Sequence, residues 1–387
     1  MASRPERLLR GRDAPLSASF LELFFDLAFV LALSQSAVHL LNDLTLAGAL
    51  RTALLLAGVW WIWVTTTWSA DWYDPETPAI RVVLVAATLG SLLAGVATPQ
   101  ALGERGVLFA GAYVAVHLVR GVVTASMLRG HPRQRRALRI LCWYAATAVP
   151  WLAGAFLPQW RVPLWVLALA IDVTGPRLGW PTPRLGRARQ QELRLAGAHF
   201  AERYQQIMII ALGELVLAAG LSYAGTRLDL AETAAFLLVF VTAVLIGLLY
   251  VTPAGRHLGS AIEHADPSRL GVVTGYLHLV MIAGIVVTAV GAELSIAHPS
   301  EVGDLAAVAA ILGGPTLFLV GRILFSLAIH RRLSWPRVCA LLVLAGAAAA
   351  LRLPLLMISA VATAVVLVVA VLDHAALFTY RRRGSAD

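Results

Sequence analysis

The chain has 387 residues, of which 59% are hydrophobic and 14% charged, and its formal net charge is +9 at pH 7. Such a composition has too few polar residues to cover the two or so water-soluble domains that this length would otherwise form, so we expect a membrane protein. The sequence contains no lysine, and most of its arginines cluster in short loops between apolar runs, which excludes a nucleic-acid-binding surface and is typical of loops that stay on the cytoplasmic side of a membrane.

Apolar runs long enough to cross a bilayer recur along the chain. A transmembrane helix needs about 20 mainly apolar residues. The sequence therefore predicts an all-α fold, a polytopic bundle of about 12 transmembrane helices. The predicted spans are residues 18–42, 48–68, 79–98, 106–127, 138–157, 161–175, 197–221, 230–251, 269–291, 304–328, 336–350 and 354–375.

Arginine-rich segments alternate with segments that hold few arginines. The basic segments are the N-terminal tail and residues 129–139, 177–194, 256–269, 331–337 and 381–383. With about 12 spans, all of these segments fall on one side of the membrane. The positive-inside rule then predicts that both termini face the cytoplasm.

A basic linker at residues 176–196 divides the chain into halves, residues 1–175 and 197–387, with six predicted spans each. The openings of the two halves are similar, so that Glu22 aligns with Glu202 and Asp26 with Gln206. Since each half has an even number of spans, the sequence predicts two parallel six-helix repeats related by an axis along the membrane normal.

Two carboxylates interrupt the first apolar span. Glu22 and Asp26 lie four residues apart and therefore on one helical face. A charge within the bilayer costs about 2.5–3.5 kcal/mol on insertion scales. Glu22 has one explanation in its place near a helix N-terminus, where the helix dipole favours a carboxylate. Asp26 lies deeper, and it either pairs with an arginine on another helix or serves in proton transfer or substrate contact.

The second and fourth spans add aromatic and basic candidates. Trp60 and Trp61 lie too deep for an interfacial aromatic belt and are predicted to line an apolar or cation-binding pocket. His117 and Arg120 lie one turn apart in the fourth span. An arginine at this depth needs a counter-charge, and Asp26 or Glu22 would suit it.

The seventh span holds four ionisable residues. Glu202 and Arg203 lie near its cytoplasmic end, where Arg203 either snorkels or forms an interhelical ion pair. Glu214 lies about 12 residues deeper and is either a proton carrier or half of a buried ion pair. His199 and Glu202 have the i, i+3 spacing of helical metal ligands. No second copy of that pair is found, so no metal site is predicted.

Three further residues complete the set of buried polar candidates. His278 in the ninth span either hydrogen-bonds to a neighbouring helix or relays protons. Arg322 in the tenth span is the candidate partner of Glu202 or Glu214. Asp172, near the end of the sixth span, is interpreted as a helix-end cap.

Three segments resemble the motifs of a known family. They are LELFFDLAFV at residues 21–30, AERYQQIMIIALGE at residues 201–214, and YLHL at residues 276–279, followed by GIV at 284–286 and VGAE at 290–293. In this order the motifs resemble the bacterial low temperature requirement protein A family. The resemblance implies a polytopic protein of the bacterial inner membrane and indicates little about activity. Gln205 and Gln206 depart from the pattern, as does the end of the eighth span, which favours a specialised substrate.

Three functions remain open from the residues alone. The first is a proton-linked secondary transporter of a small or amphipathic substrate, with buried acids in a central cavity. The alternative is an intramembrane enzyme that acts on a lipid or isoprenoid by acid–base chemistry, and a third is a lipid-binding protein without turnover. Proton-transfer or catalytic roles are assigned to Asp26, Glu22, Glu214, Glu202 and His278, and substrate contacts to Arg120, His117, Arg203, Arg322, Trp60 and Trp61.

The expected partners follow from the same hypotheses. They are membrane lipids and a small-molecule or lipid substrate, with no nucleic acid and no cofactor. Self-association into a homo-oligomer is left open.

Overall fold

The computed structural model describes residues 6–10, 17–189, 192, 195, 197–251, 267–331, 333–347 and 352–384. Across these ranges the fold is helical and contains no β-strand, so the predicted polytopic helical bundle is confirmed. Parts of the basic N-terminal tail and of the predicted linker lie outside the described residues, and so do residues 252–266 of a predicted basic loop.

Each predicted span coincides with one α-helix of the described chain. The helices are α1 (Phe20–Leu41), α2 (Leu46–Trp72), α3 (Pro78–Ala97), α4 (Gly106–Met127), α5 (Gln134–Phe156), α6 (Arg161–Leu178), α7 (Gly197–Ala224), α8 (Leu230–Val251), α9 (Pro267–Ala297), α10 (Leu305–His330), α11 (Trp335–Ala347) and α12 (Leu355–Gly384). In these described ranges nine helices are long and apolar enough to cross a membrane, and α5, α6 and α11 are not among them. The count of about 12 crossings therefore stays a prediction.

The helices form two compact units. The first consists of the described residues within Met1–His39, Ala47–Ile207 and Gly259–Gly275, and the second of those within Leu40–Leu46, Met208–Leu258 and Tyr276–Asp387. Both α7 and α9 therefore contribute their first turns to the first unit and the remainder to the second. The duplication predicted about residues 176–196 stays a prediction.

In the first unit, α2 is the central helix. Every residue from Gly58 to Tyr73 is buried, so this stretch is surrounded by protein on all sides. Around it, α3 packs against α4, α4 against α5 and α5 against α6. Because α2 carries five of the ten tryptophans within the bounds of this unit and is buried, their ring N–H groups need acceptors inside the protein.

The first helix of this unit has two distinct faces. Phe20 and Leu27 are 78% and 58% exposed, whereas Glu22 and Asp26 on the opposite face are both 0% exposed. An exposed apolar face is compatible with lipid. The two carboxylates share one face of α1, as the four-residue spacing predicts, and the structure turns that face into the protein.

In the second unit, α9 and α10 approach each other closely through four glycines. Gly284 and Gly291 lie two turns apart on α9, and Gly314 and Gly321 have the same spacing on α10. A Cβ atom on Gly284 would lie 2.5 Å from the backbone nitrogen of Phe318, and one on Gly314 would lie 2.5 Å from that of Thr288. Small residues at such contacts let the helix backbones meet, which is the usual basis of helix packing in membranes.

We expect Gly314→Ala to lower the free energy of unfolding by about 1–3 kcal/mol, the usual cost of overpacking. The adjacent Gly313→Ala is the matched control, because its Cβ would meet only Val287 Cγ1 at 4.0 Å. Both substitutions add the same methyl group to the same helix, so intrinsic helix propensity cancels. Denaturant titration in detergent measures the difference, and equal stability of the two variants would contradict the close packing.

Candidate functional site

A capping box at the N-terminus of α1 fixes the position of the Glu22 side chain. The backbone N–H of Ser19 donates to Glu22 Oε2 at 2.8 Å, and the N–H of Glu22 donates to Ser19 Oγ at 3.4 Å. Ser19 is the N-cap and Glu22 the third helical residue, so each side chain satisfies a backbone donor of the other. One oxygen of Glu22 is thus used in the helix end, and the other is directed into the protein.

Asp26, one turn further along α1, forms an ion pair with Arg203 on α7. Arg203 Nη2 lies 2.6 Å from Asp26 Oδ1, and both side chains are fully buried. The same oxygen accepts a hydrogen bond from Trp63 Nε1 at 2.8 Å. The indole of Trp63 is held in turn by Trp60, stacked at 4.7 Å, and by Tyr204, edge-on at 4.9 Å. The interhelical ion pair considered for Arg203 is therefore observed, and the side chain does not snorkel.

His199, one turn before Arg203, lies between two carboxylates and an arginine. Its Nδ1 lies 3.1 Å from Asp71 Oδ1 near the end of α2, and its Nε2 lies 3.1 Å from Glu22 Oε1. Arg10 Nη1 lies 3.1 Å from the same Nε2 and also donates to the carbonyl of Ala70 at 3.0 Å. Two groups of opposite charge thus compete for one ring nitrogen.

The protonation state of His199 decides which partner Nε2 can bind. A neutral ring that carries its proton on Nδ1 donates to Asp71 and accepts from Arg10 through Nε2. A doubly protonated ring donates from both nitrogens, so Nε2 then suits Glu22 and is repelled by Arg10. In the structure Nε2 has hydrogen-bond geometry toward Arg10, and Glu22 Oε1 has no hydrogen-bond partner.

Three buried atoms of this network lack hydrogen bonds. They are Glu22 Oε1, Asp26 Oδ2 and Arg203 Nε. Arg203 Nε and Glu22 Oε1 lie 3.9 Å apart, close enough for attraction between charges but too far for a hydrogen bond. Most buried polar atoms in proteins are satisfied, so this arrangement has capacity for a further proton or polar ligand.

Glu202 faces a different direction from its neighbour Arg203. It is half-buried, and its Oε1 accepts from Gln206 Nε2 at 3.0 Å and from the backbone N–H of Ala18 at 3.4 Å. Gln206 Oε1 accepts from Arg203 Nη1 at 3.4 Å. The glutamine that departs from the family pattern therefore connects Glu202 to the buried arginine. We call the side chains of Arg10, Glu22, Asp26, Trp63, Asp71, His199, Glu202, Arg203 and Gln206 the Asp26 network.

A second polar group in the same unit surrounds Arg120. Its Nη1 donates to Thr65 Oγ1 at 2.9 Å and to Thr66 Oγ1 at 3.2 Å, and its guanidinium lies 5.6 Å from the ring centre of Tyr144. His117 Nε2 lies 3.4 Å from Thr65 Oγ1. These five residues form the Arg120 cluster.

The expected neutralisation of Arg120 by Asp26 or Glu22 is wrong. Asp26 is bound to Arg203 instead, and among the described residues no carboxylate lies within ion-pair distance of Arg120. The reason is that α4 packs against α3 and α5, whereas the buried face of α1 meets α7 through these side chains.

Trp60 and Trp61 are both buried, as predicted, but their N–H groups bind protein atoms. Trp60 Nε1 donates to the carbonyl of Gly275 at 2.9 Å, and Trp61 Nε1 donates to Tyr144 Oη at 3.0 Å. Their polar edges therefore fix neighbouring helices. The stacked ring of Trp60 also holds Trp63 toward Asp26.

The remaining candidates lie in the second unit. Tyr250 Oη lies 3.1 Å from His278 Nε2, so His278 is hydrogen-bonded to a neighbouring helix. Arg322 is fully buried, with its guanidinium 5.7 Å from the ring centre of Tyr250 and 5.5 Å from that of Phe325. Glu214 is 5% exposed on the part of α7 that belongs to this unit. The structure therefore brings Glu22, Asp26 and Arg203 together, and Glu202 through Gln206, and it groups His278 with Arg322.

Residues 17–371 match the family model described as bacterial low temperature requirement A protein (LtrA). The chain belongs to this family. It is also similar to an uncharacterized protein of Rhizobium meliloti (strain 1021), with 34% identity over 376 residues that cover 94% of this chain and 91% of the relative. No solved structure matches the chain. Its apolar helices and its family make this LtrA protein a multi-pass membrane protein.

Sequence reasoning missed two members of the Asp26 network. Asp71 follows the predicted second span, residues 48–68, but lies buried in the last turn of α2, and Arg10 lies in the tail. Asp172 is no helix-end cap, since its Oδ2 accepts from Tyr113 Oη at 2.7 Å and from Trp151 Nε1 at 3.1 Å. The sequence does contain one indication that the second helix extends to Asp71, because Asp71 follows Trp68 by three residues, a helical spacing.

The i, i+3 pair considered as metal ligands does not converge. His199 is directed at Glu22 and Asp71, whereas Glu202 is directed at Gln206. Within the described ranges, the structure shows no group of three or more histidine, cysteine or acidic side chains that could hold a metal ion.

Asp26→Asn is expected to lower the free energy of unfolding of the LtrA protein by about 3 kcal/mol, because it leaves the buried Arg203 charge without its closest partner. The double variant Asp26→Asn with Arg203→Gln removes both charges. It should cost less than the sum of the two single variants, which a double-mutant cycle in detergent measures.

Glu202→Gln is the matched control for this cycle. It removes a carboxylate next to Arg203 in the chain but leaves the ion pair intact, so a change of less than about 1 kcal/mol is expected. Strict additivity of the Asp26 and Arg203 variants would contradict the ion pair.

Proposed function

We propose that this LtrA-family protein is a proton-linked secondary transporter of a small or amphipathic substrate. The observation that carries the proposal is the Asp26 network, in which three acids, His199 and Arg203 are buried in membrane-type helices and three buried atoms have no hydrogen bond. Ionisable groups in membrane spans are rare and commonly mark ion or proton pathways.

Proton binding at Asp26 would act directly on a contact between helices. The ionised carboxylate holds Arg203 at 2.6 Å and so joins α1 to α7. Protonation removes the negative charge, and Arg203 is then free to bind another anionic group, either Glu22 or the substrate. A proton and a substrate that favour different states of one contact are thermodynamically coupled.

His199 supplies a second proton-dependent contact in this mechanism. When Nε2 of His199 gains a proton, its contact with Arg10 is replaced by a contact with Glu22, because only a ring nitrogen without a proton can accept from Arg10. Protonation of His199 thus strengthens the contact of α7 with α1 at the position where protonation of Asp26 weakens it. Protonation of His199 and protonation of Asp26 thus have opposite effects on the contact between α1 and α7. Together they provide the two alternative states that alternating access needs.

The alternative, an intramembrane enzyme acting on a lipid or isoprenoid, uses the same acids as general acid and base. Such an acid needs a proton-transfer path to its substrate. Arg203 and Trp63 both donate hydrogen bonds to Asp26 Oδ1. This arrangement favours a proton-dependent contact between helices over proton transfer to a bound lipid. Product formed in detergent without any gradient would support the enzyme instead.

The location belongs to the same proposal. We place the protein in the bacterial inner membrane with both termini in the cytoplasm, on the basis of its arginine-rich loops. Reporter fusions at each terminus measure the orientation.

We expect an imposed proton gradient to drive uptake of at least one solute from a mixture of small metabolites into proteoliposomes that contain the wild-type protein. Mass spectrometry of the vesicle contents measures this uptake. Asp26→Asn should abolish it, because an amide cannot exchange the proton.

Glu76→Gln is the control for the uptake experiment, because it replaces an exposed acid that pairs with Arg81 outside the Asp26 network. Its uptake should stay within about twofold of wild type. Gradient-driven uptake that persists in Asp26→Asn would contradict the proposal.

A further inference from the structure

Arg120 differs from Arg203 and Arg337, two other buried arginines of the described chain, in how its guanidinium is satisfied. Arg203 and Arg337 each form an ion pair at 2.6 Å, with Asp26 and Asp373 respectively. Arg120 is 4% exposed, binds only threonine hydroxyls through Nη1, and its Nη2 is buried without a hydrogen-bond partner.

Arg161 shows how a buried arginine of the same unit is satisfied without a carboxylate. All three of its nitrogens donate to backbone carbonyls, among them those of Gly103, Gly154 and Ala155, at 2.6, 3.0 and 2.9 Å. Arg120 has no such set of carbonyl acceptors. Arg120 therefore has neither a carboxylate partner like that of Arg203 nor a set of carbonyl acceptors like that of Arg161.

A second buried donor lies on the same side of α2. Trp68 Nε1 is buried and has no hydrogen-bond partner. Trp68 follows Thr65 by three residues, so it lies one turn from the hydroxyl that binds Arg120 and on nearly the same helical face. Trp61, one turn on the other side of Thr65, contacts the Trp68 ring at 5.7 Å.

Asp172 is connected to the Arg120 cluster through Tyr113, but its Oδ2 already accepts hydrogen bonds. Asp172 Oδ2 accepts from Tyr113 and Trp151, and no ion pair joins Asp172 to Arg120 in the described residues. Tyr113 stacks on His117 at 4.4 Å, so aromatic rings separate the acid from the guanidinium. The surroundings of Arg120 are thus rich in donors and poor in acceptors.

We infer that Arg120 anchors a binding site for an oxyanion, a carboxylate or a phosphate, within the first unit. An oxyanion supplies what the cluster lacks, namely a negative charge and several acceptor lone pairs for Arg120 Nη2 and Trp68 Nε1. The hydroxyls of Thr65 and Thr66 orient the guanidinium. The site deepens the proposed transport function, on which its physiological role rests, by making the substrate an anion.

The test measures anion binding to the full-length protein in detergent, without a gradient. Sodium acetate and sodium phosphate are each titrated against sodium chloride of equal ionic strength, and the melting temperature is followed. At least one oxyanion should raise the melting temperature of the wild-type protein in a saturable manner. Arg120→Gln should abolish this shift, and Arg120→Lys should weaken binding about tenfold because the planar fork is lost.

Two further variants keep the test decisive if Arg120→Gln does not fold. Trp68→Phe keeps the ring but removes the free N–H, and it should weaken binding by about tenfold. Arg81→Gln removes one positive charge at an exposed ion pair with Glu76 and should leave the shift unchanged.

A lipid headgroup carries the same chemistry as free phosphate, so phosphatidylglycerol is titrated in a separate arm. A saturable shift that depends on Arg120 with the lipid alone assigns the oxyanion to the headgroup, and with acetate or phosphate it assigns a soluble ion. The inference is overturned if no arm gives a shift that depends on Arg120. Since no gradient is used, that result leaves proton-driven uptake of another substrate intact, so the two proposals fail separately.

Discussion

The contact between Asp26 and Arg203 is the constraint on which the rest of the first unit depends. Two full charges buried in an apolar bundle are tolerated only when they meet, and here they meet at 2.6 Å between α1 and α7. The surrounding residues serve this contact. Trp63 fixes the carboxylate with a hydrogen bond at 2.8 Å, and the capping box fixes Glu22 one turn away. His199 thereby lies between the carboxylates of Glu22 and Asp71, at 3.1 Å from each.

The same unit holds two opposite solutions to the burial of charge. The Asp26 network contains both acids and bases, and which of them can pair depends on which groups are protonated. In the Arg120 cluster a base is present without an acid within ion-pair distance, and hydroxyls and aromatic rings surround it. The proposed function uses both kinds of site, one that exchanges protons and one that offers a fixed positive charge to an anion.

The helices could be predicted because the length of an apolar run is a direct measure of a membrane span, and every predicted span coincides with a helix. The four-residue spacing placed Asp26 on the same helical face as Glu22, and the cost of a charge in the bilayer implied a partner for it. The choice of partner could not be predicted, because Arg120 and Arg203 are both arginines within apolar spans and only the packing of α1 decides between them. Asp71 was missed because an acid after a tryptophan-rich run has the same appearance as the start of a loop. The orphaned Nη2 of Arg120 depends on the distances between three helices, which no sequence pattern contains.

The proposed function requires Asp26 to exchange a proton at its contact with Arg203 inside the membrane. Infrared difference spectroscopy of the reconstituted protein between high and low pH detects this exchange. At low pH we expect a carbonyl band of a protonated carboxylic acid that is lost in Asp26→Asn and retained in Glu202→Gln. A band that persists unchanged in Asp26→Asn would contradict this role of Asp26.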